Sequence, residues 1–217
     1  MRLGGPKPEQ FRVVALRGAP DADAGALAAR LRGLDVDIAF LAAPVDSAWF
    51  ARLAGASGLV LSGPASAGDL RIAFLAWEAV GDTTVSLPLE GGGALTVQDA
   101  LYEVDDDRFL DLMSVHLPAG VAPRAAARAL LAYVATDVMG SVGVLLAVSA
   151  ERPADGDELA ELLAPVFAPE SRCETAEPGL RGSVRLLHGP PLRIHCASIR
   201  GIPEETGAVL ADIVVPR

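Results

Sequence analysis

FRVVALRG (residues 11–18), VDIAFLAA (36–43), SGLVLSG (57–63), DLMSVHL (111–117) and VGVLLAVS (142–149) are short apolar runs punctuated by Gly, Pro and Ser. Their length and aliphatic content read as buried strands. The segments between the first three, and between the last two, carry helical apolar spacing. Leu27, Leu31 and Leu34 recur at four and three residues and form one apolar face. Asp21 and Asp23 supply capping charge for a helix over 24–34. Asp46 or Ser47 caps a short helix through Trp49 and Leu53, and Asp155 or Asp157 a helix ending at Phe167. Pro123 suits the first turn of a helix through Val134. This alternation predicts an α/β fold: a mainly parallel layered sheet of about five strands with helices on both faces.

Working outward, residues 1–10 read as a flexible lead-in and 11–167 as the α/β domain. Leu70–Val80 and Thr83–Leu89 form an inserted β-hairpin, and Val97–Val104 a short helix. Residues 168–182 are rich in Pro, Glu, Gly and Arg and read as a linker or long loop. Residues 183–217 form a small β-rich extension packing on the main domain. It holds a hairpin around His188-Gly189-Pro190-Pro191, a short helix over 203–212 and an edge strand at 213–215. The run from Val13 to Leu53 and the run from Met113 to Leu163 share an element order, which hints at internal duplication.

Bulk composition narrows the function classes. The 217 residues are 51% hydrophobic, ample for an independent core. A net charge of −10 argues against nucleic acid and anionic membranes as partners, since phosphate binding needs a basic footprint. No apolar run reaches the ~20 residues of a membrane helix, and Met1–Gln10 lacks the character of a signal peptide. Two cysteines, Cys173 and Cys196, are too few for a disulfide framework or a four-sulfur zinc site. The expectation is a cytoplasmic protein with no cofactor and no metal. Lys7 is the sole Lys against 17 Arg, and Asn is absent, a skew expected of a GC-rich bacterial genome. Without Asn, left-handed turn positions fall to the 22 glycines.

The segment GGGALTVQDALYEVDDDRFLDLMSV (91–115), with its Leu95-Thr96-x-x-Asp99 pattern, resembles the passage from hairpin to fourth strand in the caspase-like fold, in its CHAT-type branch. The resemblance covers about residues 11–167. It implies a catalytic His after the third strand and a Cys after the fourth. The chain has Leu61-Ser62-Gly63-Pro64 and Val115-His116-Leu117-Pro118 there, so the resemblance implies a catalytically dead relative.

Chemistry-bearing residues are sparse. No G-x-G-x-x-G follows the first strand, and neither a Walker A sequence nor a nucleophile elbow is present. Asp105-Asp106-Asp107, with Glu103 and Asp111, is the densest acidic cluster, but consecutive acids on a regular element do not converge on one cation. His116 lies near the carboxyl end of a strand, where α/β folds place a general base. Ser114 shares its face, with a side chain running parallel to it. Cys196 and His195 point to opposite faces of one strand. Cys196 with His188, across the carboxy-terminal hairpin, is the remaining thiol pairing. The catalytic candidates are thus His116, Asp106, Cys196 and His188, and the binding candidates are Trp77, Ser62 and Ser66. The quiet strand ends favour a non-catalytic binding or assembly protein with a protein partner or self-association as a homo-oligomer. The alternative is a small-molecule hydrolase or transferase using His116 with nearby acidic residues.

Overall fold

The computed structural model describes residues 10–18, 23–76, 81–105, 108–137, 141–169, 184–190, 192–199 and 205–215. In chain order the elements are β1 (Gln10–Gly18), α1 (Ala24–Gly33), β2 (Ile38–Ala43), α2 (Ser47–Ser57), β3 (Val60–Ala67), β4 (Leu70–Ala76), β5 (Gly81–Pro88), β6 (Ala94–Asp105), β7 (Arg108–Leu117), α3 (Pro123–Asp137), β8 (Val144–Ala150), α4 (Pro153–Leu163), β9 (Ala168–Pro169), β10 (Val184–His188), β11 (Arg193–Ile199) and β12 (Glu205–Val214).

The strands form two six-stranded sheets, in the orders β11-β12-β1-β2-β4-β3 and β5-β6-β7-β8-β10-β9. Among the described residues only β1–β2 and β7–β8 are parallel, and every other pairing is antiparallel. The mainly parallel layered sheet expected from the sequence is therefore corrected to a two-sheet sandwich of mixed, mostly antiparallel sheets. The physical reason is that a strand covered on both faces reads as a continuous apolar run whatever the direction of its neighbours. The β1–α1–β2 and β7–α3–β8 units each yield one parallel pair, whereas β4 enters antiparallel between β2 and β3.

Alternation along each strand sets the layers. Val13, Ala15, Ile38 and Phe40 of one sheet meet Leu110, Leu112, Leu145 and Ala147 of the other in the central core. Val14, Leu16, Ala39 and Leu41 point outward under α1 and α2. Met113, Val115, Leu146 and Val148 do the same under α3 and α4. Each sheet thus carries helices on its outer face alone, not on both faces. Asp23 caps α1 by accepting from Gly25 N, and Asp46 caps α2 by accepting from Trp49 N. At α4 the cap position is Arg152, and Asp155 lies in the first turn.

Three local expectations change as well. Residues 70–89 are not a hairpin: β4 pairs with β2 and β3, and β5 pairs with β6 in the opposite sheet. Residues 97–104 are strand β6, not a helix. Residues 205–214 are strand β12, which lies between β11 and β1 and is paired along all of β1. Gly91, Gly92 and Gly93 all have positive φ in the turn from β5 to β6, a conformation that excludes most side chains.

Candidate active site

The parallel pairs of the two sheets end at the same edge of the sandwich. There the inward faces change from apolar to polar. β7 ends with Ser114 and His116 on the core side, and β8 with Ser149, all buried. His116 and Ser149 are register partners. Ser149 Oγ has one proton, which it donates to Val115 O at 3.2 Å. It therefore accepts from His116 Nδ1, 3.0 Å away. This arrangement puts the proton of the neutral ring on Nδ1 and leaves the Nε2 lone pair free.

Nε2 faces the acidic and basic groups of the rim. Glu151 Oε2, just beyond β8, lies 3.6 Å from it. The same oxygen is 3.3 Å from Nη2 of Arg17, near the end of β1. Arg17 Nη1 donates to Ala150 O at 2.7 Å, which fixes the guanidinium between the sheets. Asp69 lies in the turn between β3 and β4. Gly68 beside it has φ +62°, and a Cβ there would come within 3.1 Å of Pro118 Cγ. Only a glycine lets this turn close against the end of β7.

Burial first, and the Arg17 cation second, push His116 down to about 4, with Asp69 partly opposing them. The imidazole is consequently a neutral base at pH 7. Behind it, a crevice of about 10 Å³ is lined by Phe40, Ala42, Ser114 and Ser149. Gln98 is buried in register with Ser114. Its Oε1 accepts from Thr84 Oγ1 at 3.0 Å, while its Nε2 is buried without a hydrogen-bond partner among the described residues.

Of the described residues singled out from the sequence, the structure brings His116 alone to this edge in contact with other titratable groups. Ser62 is buried in β3 and Ser66 is exposed farther along it. Cys196 lies in β11 opposite Asp212, which itself pairs with Arg12 at the other end of β1 from Arg17. His188 ends β10 in the other sheet, opposite Leu145 at the start of β8. β10 and β11 are thus in different sheets, and the hairpin that suggested a Cys196–His188 pairing does not form. His188 is lowered by burial, partly opposed by the Leu192 backbone. Asp106 and Trp77 lie outside the described residues. Sequence reasoning missed Arg17, Ser149 and Glu151. The available signal was a polar or charged residue closing each apolar strand.

Hard cations take several carboxylate oxygens. Among the described residues no group of three His, Cys, Asp or Glu side chains is placed to hold a metal ion. Among the described residues no helix is long and apolar enough to cross a membrane.

No protein-family model matches the sequence, and no curated protein matches it. Solved structures do. The endonuclease/exonuclease/phosphatase from Bacteroides vulgatus superimposes with a TM-score of 0.77 at 11% identity, covering 95% of this chain and 99% of that one. The Bacteroides thetaiotaomicron mannosyl-6-phosphatase gives 0.67 at 10% identity over 94% and 99%. D. rerio TDP2, complexed with single strand DNA product, gives 0.66 at 12% identity over 95% and 99%. The fold is that of the endonuclease/exonuclease/phosphatase proteins. The caspase-like resemblance is overturned, since its Leu95-Thr96-x-x-Asp99 fragment lies in a strand of an unrelated sandwich. Two further expectations are corrected by the same likenesses. A non-catalytic binding protein is not what structures named for nucleases and phosphatases support. The exclusion of nucleic acid from net charge fails as well, because a protein of this fold is seen with a DNA product. Net charge is a whole-surface sum, whereas a substrate meets a local field.

Proposed function

We propose that the chain is a hydrolase of small phosphate esters, with His116 as general base and Arg17 as the cation that receives the ester's charge. The observation that carries this reading is the neutral imidazole, oriented by Ser149 and facing a guanidinium across the edge of the sandwich. His116 Nε2 accepts a proton from water as the water oxygen bonds to phosphorus. The P–O bond to the leaving group breaks, and the leaving oxygen keeps the electron pair until it is protonated. Arg17 stabilises the charge on the non-bridging oxygens, and Asp69 favours the imidazolium formed. Phosphatases and nucleases commonly use divalent cations. Here Glu151 is engaged by Arg17 and Asp69 stands alone, so the described donor set does not fit one and no step is routed through it. The names of the similar structures support the substrate class. Sparse cysteine supports a cytoplasmic setting. Residues 11–167 and 183–217 act as one catalytic unit, because the second segment completes both sheets.

The test is turnover of a panel of sugar phosphates and single-stranded DNA oligonucleotides, with the wild type and His116→Gln. Hydrolysis by the wild type and a loss of about 100-fold or more in kcat for the variant are expected. Absence of turnover across the panel, or equal rates for the two proteins, overturns the reading. Cleavage of the oligonucleotides alone moves the substrate class to nucleic acid.

A further inference from the structure

The carboxylate of Glu151 stands where the proposed reaction needs an anionic oxygen. One atom, Oε2, lies 3.3 Å from Arg17 Nη2 and 3.6 Å from His116 Nε2. The contact with His116 gives the protein little at neutral pH, because the imidazole is uncharged and presents a lone pair to a carboxylate. The contact with Arg17 is long, and the Glu151 side chain is 44% exposed, so solvent screens the pair. Arg17 differs: its side chain is 15% exposed and a backbone carbonyl at 2.7 Å anchors it. A fixed cation is thus covered by a loosely held anion on a flexible stem. His116, at 1% exposure, has its free nitrogen on the same side.

We infer that Glu151 is an internal stand-in for the substrate's phosphate, and that it leaves Arg17 when a phosphate group binds. The exchange keeps an anion on Arg17 and uncovers the His116 Nε2 lone pair for the attacking water. It makes Glu151 a specificity-determining residue. A singly charged or neutral group gains less than a phosphate dianion from displacing a carboxylate, so the site selects for high negative charge. This inference rests on the phosphate-ester reading of the same site.

The experiment is calorimetric titration of the full chain with inorganic phosphate at pH 7.5, for wild type, Glu151→Gln and Arg17→Gln. Thermal melts of the three proteins establish that each is folded. Glu151→Gln keeps the side-chain shape without the competing charge. It is expected to bind phosphate about fivefold more tightly than the wild type, and Arg17→Gln to lose the binding. Equal or weaker binding by Glu151→Gln overturns the inference, as does an absence of phosphate binding in all three. Neither result decides the hydrolase reading, which stands or falls on the turnover of the wild type against His116→Gln.

Discussion

His116 Nδ1 donates to Ser149 Oγ at 3.0 Å, across the parallel pair β7–β8, between residues 33 apart in the chain. The serine donates its own O–H to the Val115 carbonyl. Two hydrogen bonds thereby select one tautomer of a buried ring and aim its lone pair at Arg17 and Glu151.

Removing the serine tests this coupling. Ser149→Ala leaves the His116 Nδ1–H buried and unpartnered, at a cost of about 1–3 kcal/mol. The ring is then free to adopt the other tautomer, with Nε2 protonated and unable to accept. Phosphoester turnover is expected to fall about tenfold or more in kcat with KM little changed. Steady-state kinetics and urea unfolding read the two effects. Unchanged kcat beside reduced stability would leave Ser149 a packing residue only.

The depressed His116 pKa makes stability depend on pH in a defined window. The unfolded histidine titrates near its ordinary 6.5, and the folded one near 4. Between these values the unfolded chain binds more protons, so stability is full above pH 6.5. It is lost as pH falls from 6.5 through 4, by roughly 3 kcal/mol in total. His116→Gln is expected to flatten this part of the profile. Denaturant unfolding of both proteins at pH 7.5, 5.5 and 4.5 measures the difference. The folded-state titration of the His116 ring, followed by NMR, is expected near pH 4, and a transition centred near 6.5 would mean that the imidazole is not held neutral by its surroundings.

The position of β12 predicts the outcome of a single charge. Ala211 is 1% exposed, pairs with Val13 and packs in the core between the sheets. Ala211→Asp places a carboxylate there with no partner, at an expected cost of more than about 3 kcal/mol. On a surface helix over 203–212 the same change would be nearly neutral. Chemical denaturation distinguishes the two.

Two misread segments explain why parts of the fold were not legible. In β6, Val97, Leu101 and Val104 recur at four and three residues, as on a helix face. Leu101 is 39% exposed, whereas Val97 and Val104 are buried on opposite faces of the sheet. Asp99 breaks the apolar alternation because Tyr133 of α3 donates to it at 2.6 Å. In β12, Ala208 faces the helices and Val209, Ala211 and Ile213 face the other sheet. A strand enclosed on both faces lacks the alternation that identifies one enclosed on a single face. By contrast β1, β2, β7 and β8, the caps Asp23 and Asp46 and the helix start at Pro123 were readable, because local signals specify them.

By itself the sequence determined the buried strands β1, β2, β7 and β8 and the helices α1 to α4, since burial and capping act over a few residues. It also marked His116 as a histidine closing an apolar strand. Strand direction, the division into two sheets and the meeting of Arg17, His116, Ser149 and Glu151 were decided only by the tertiary structure. Those contacts join residues up to 134 positions apart. Hydrogen-bond pairing between distant segments is chosen by the packing of whole faces against one another, and no local stretch of chain records that choice.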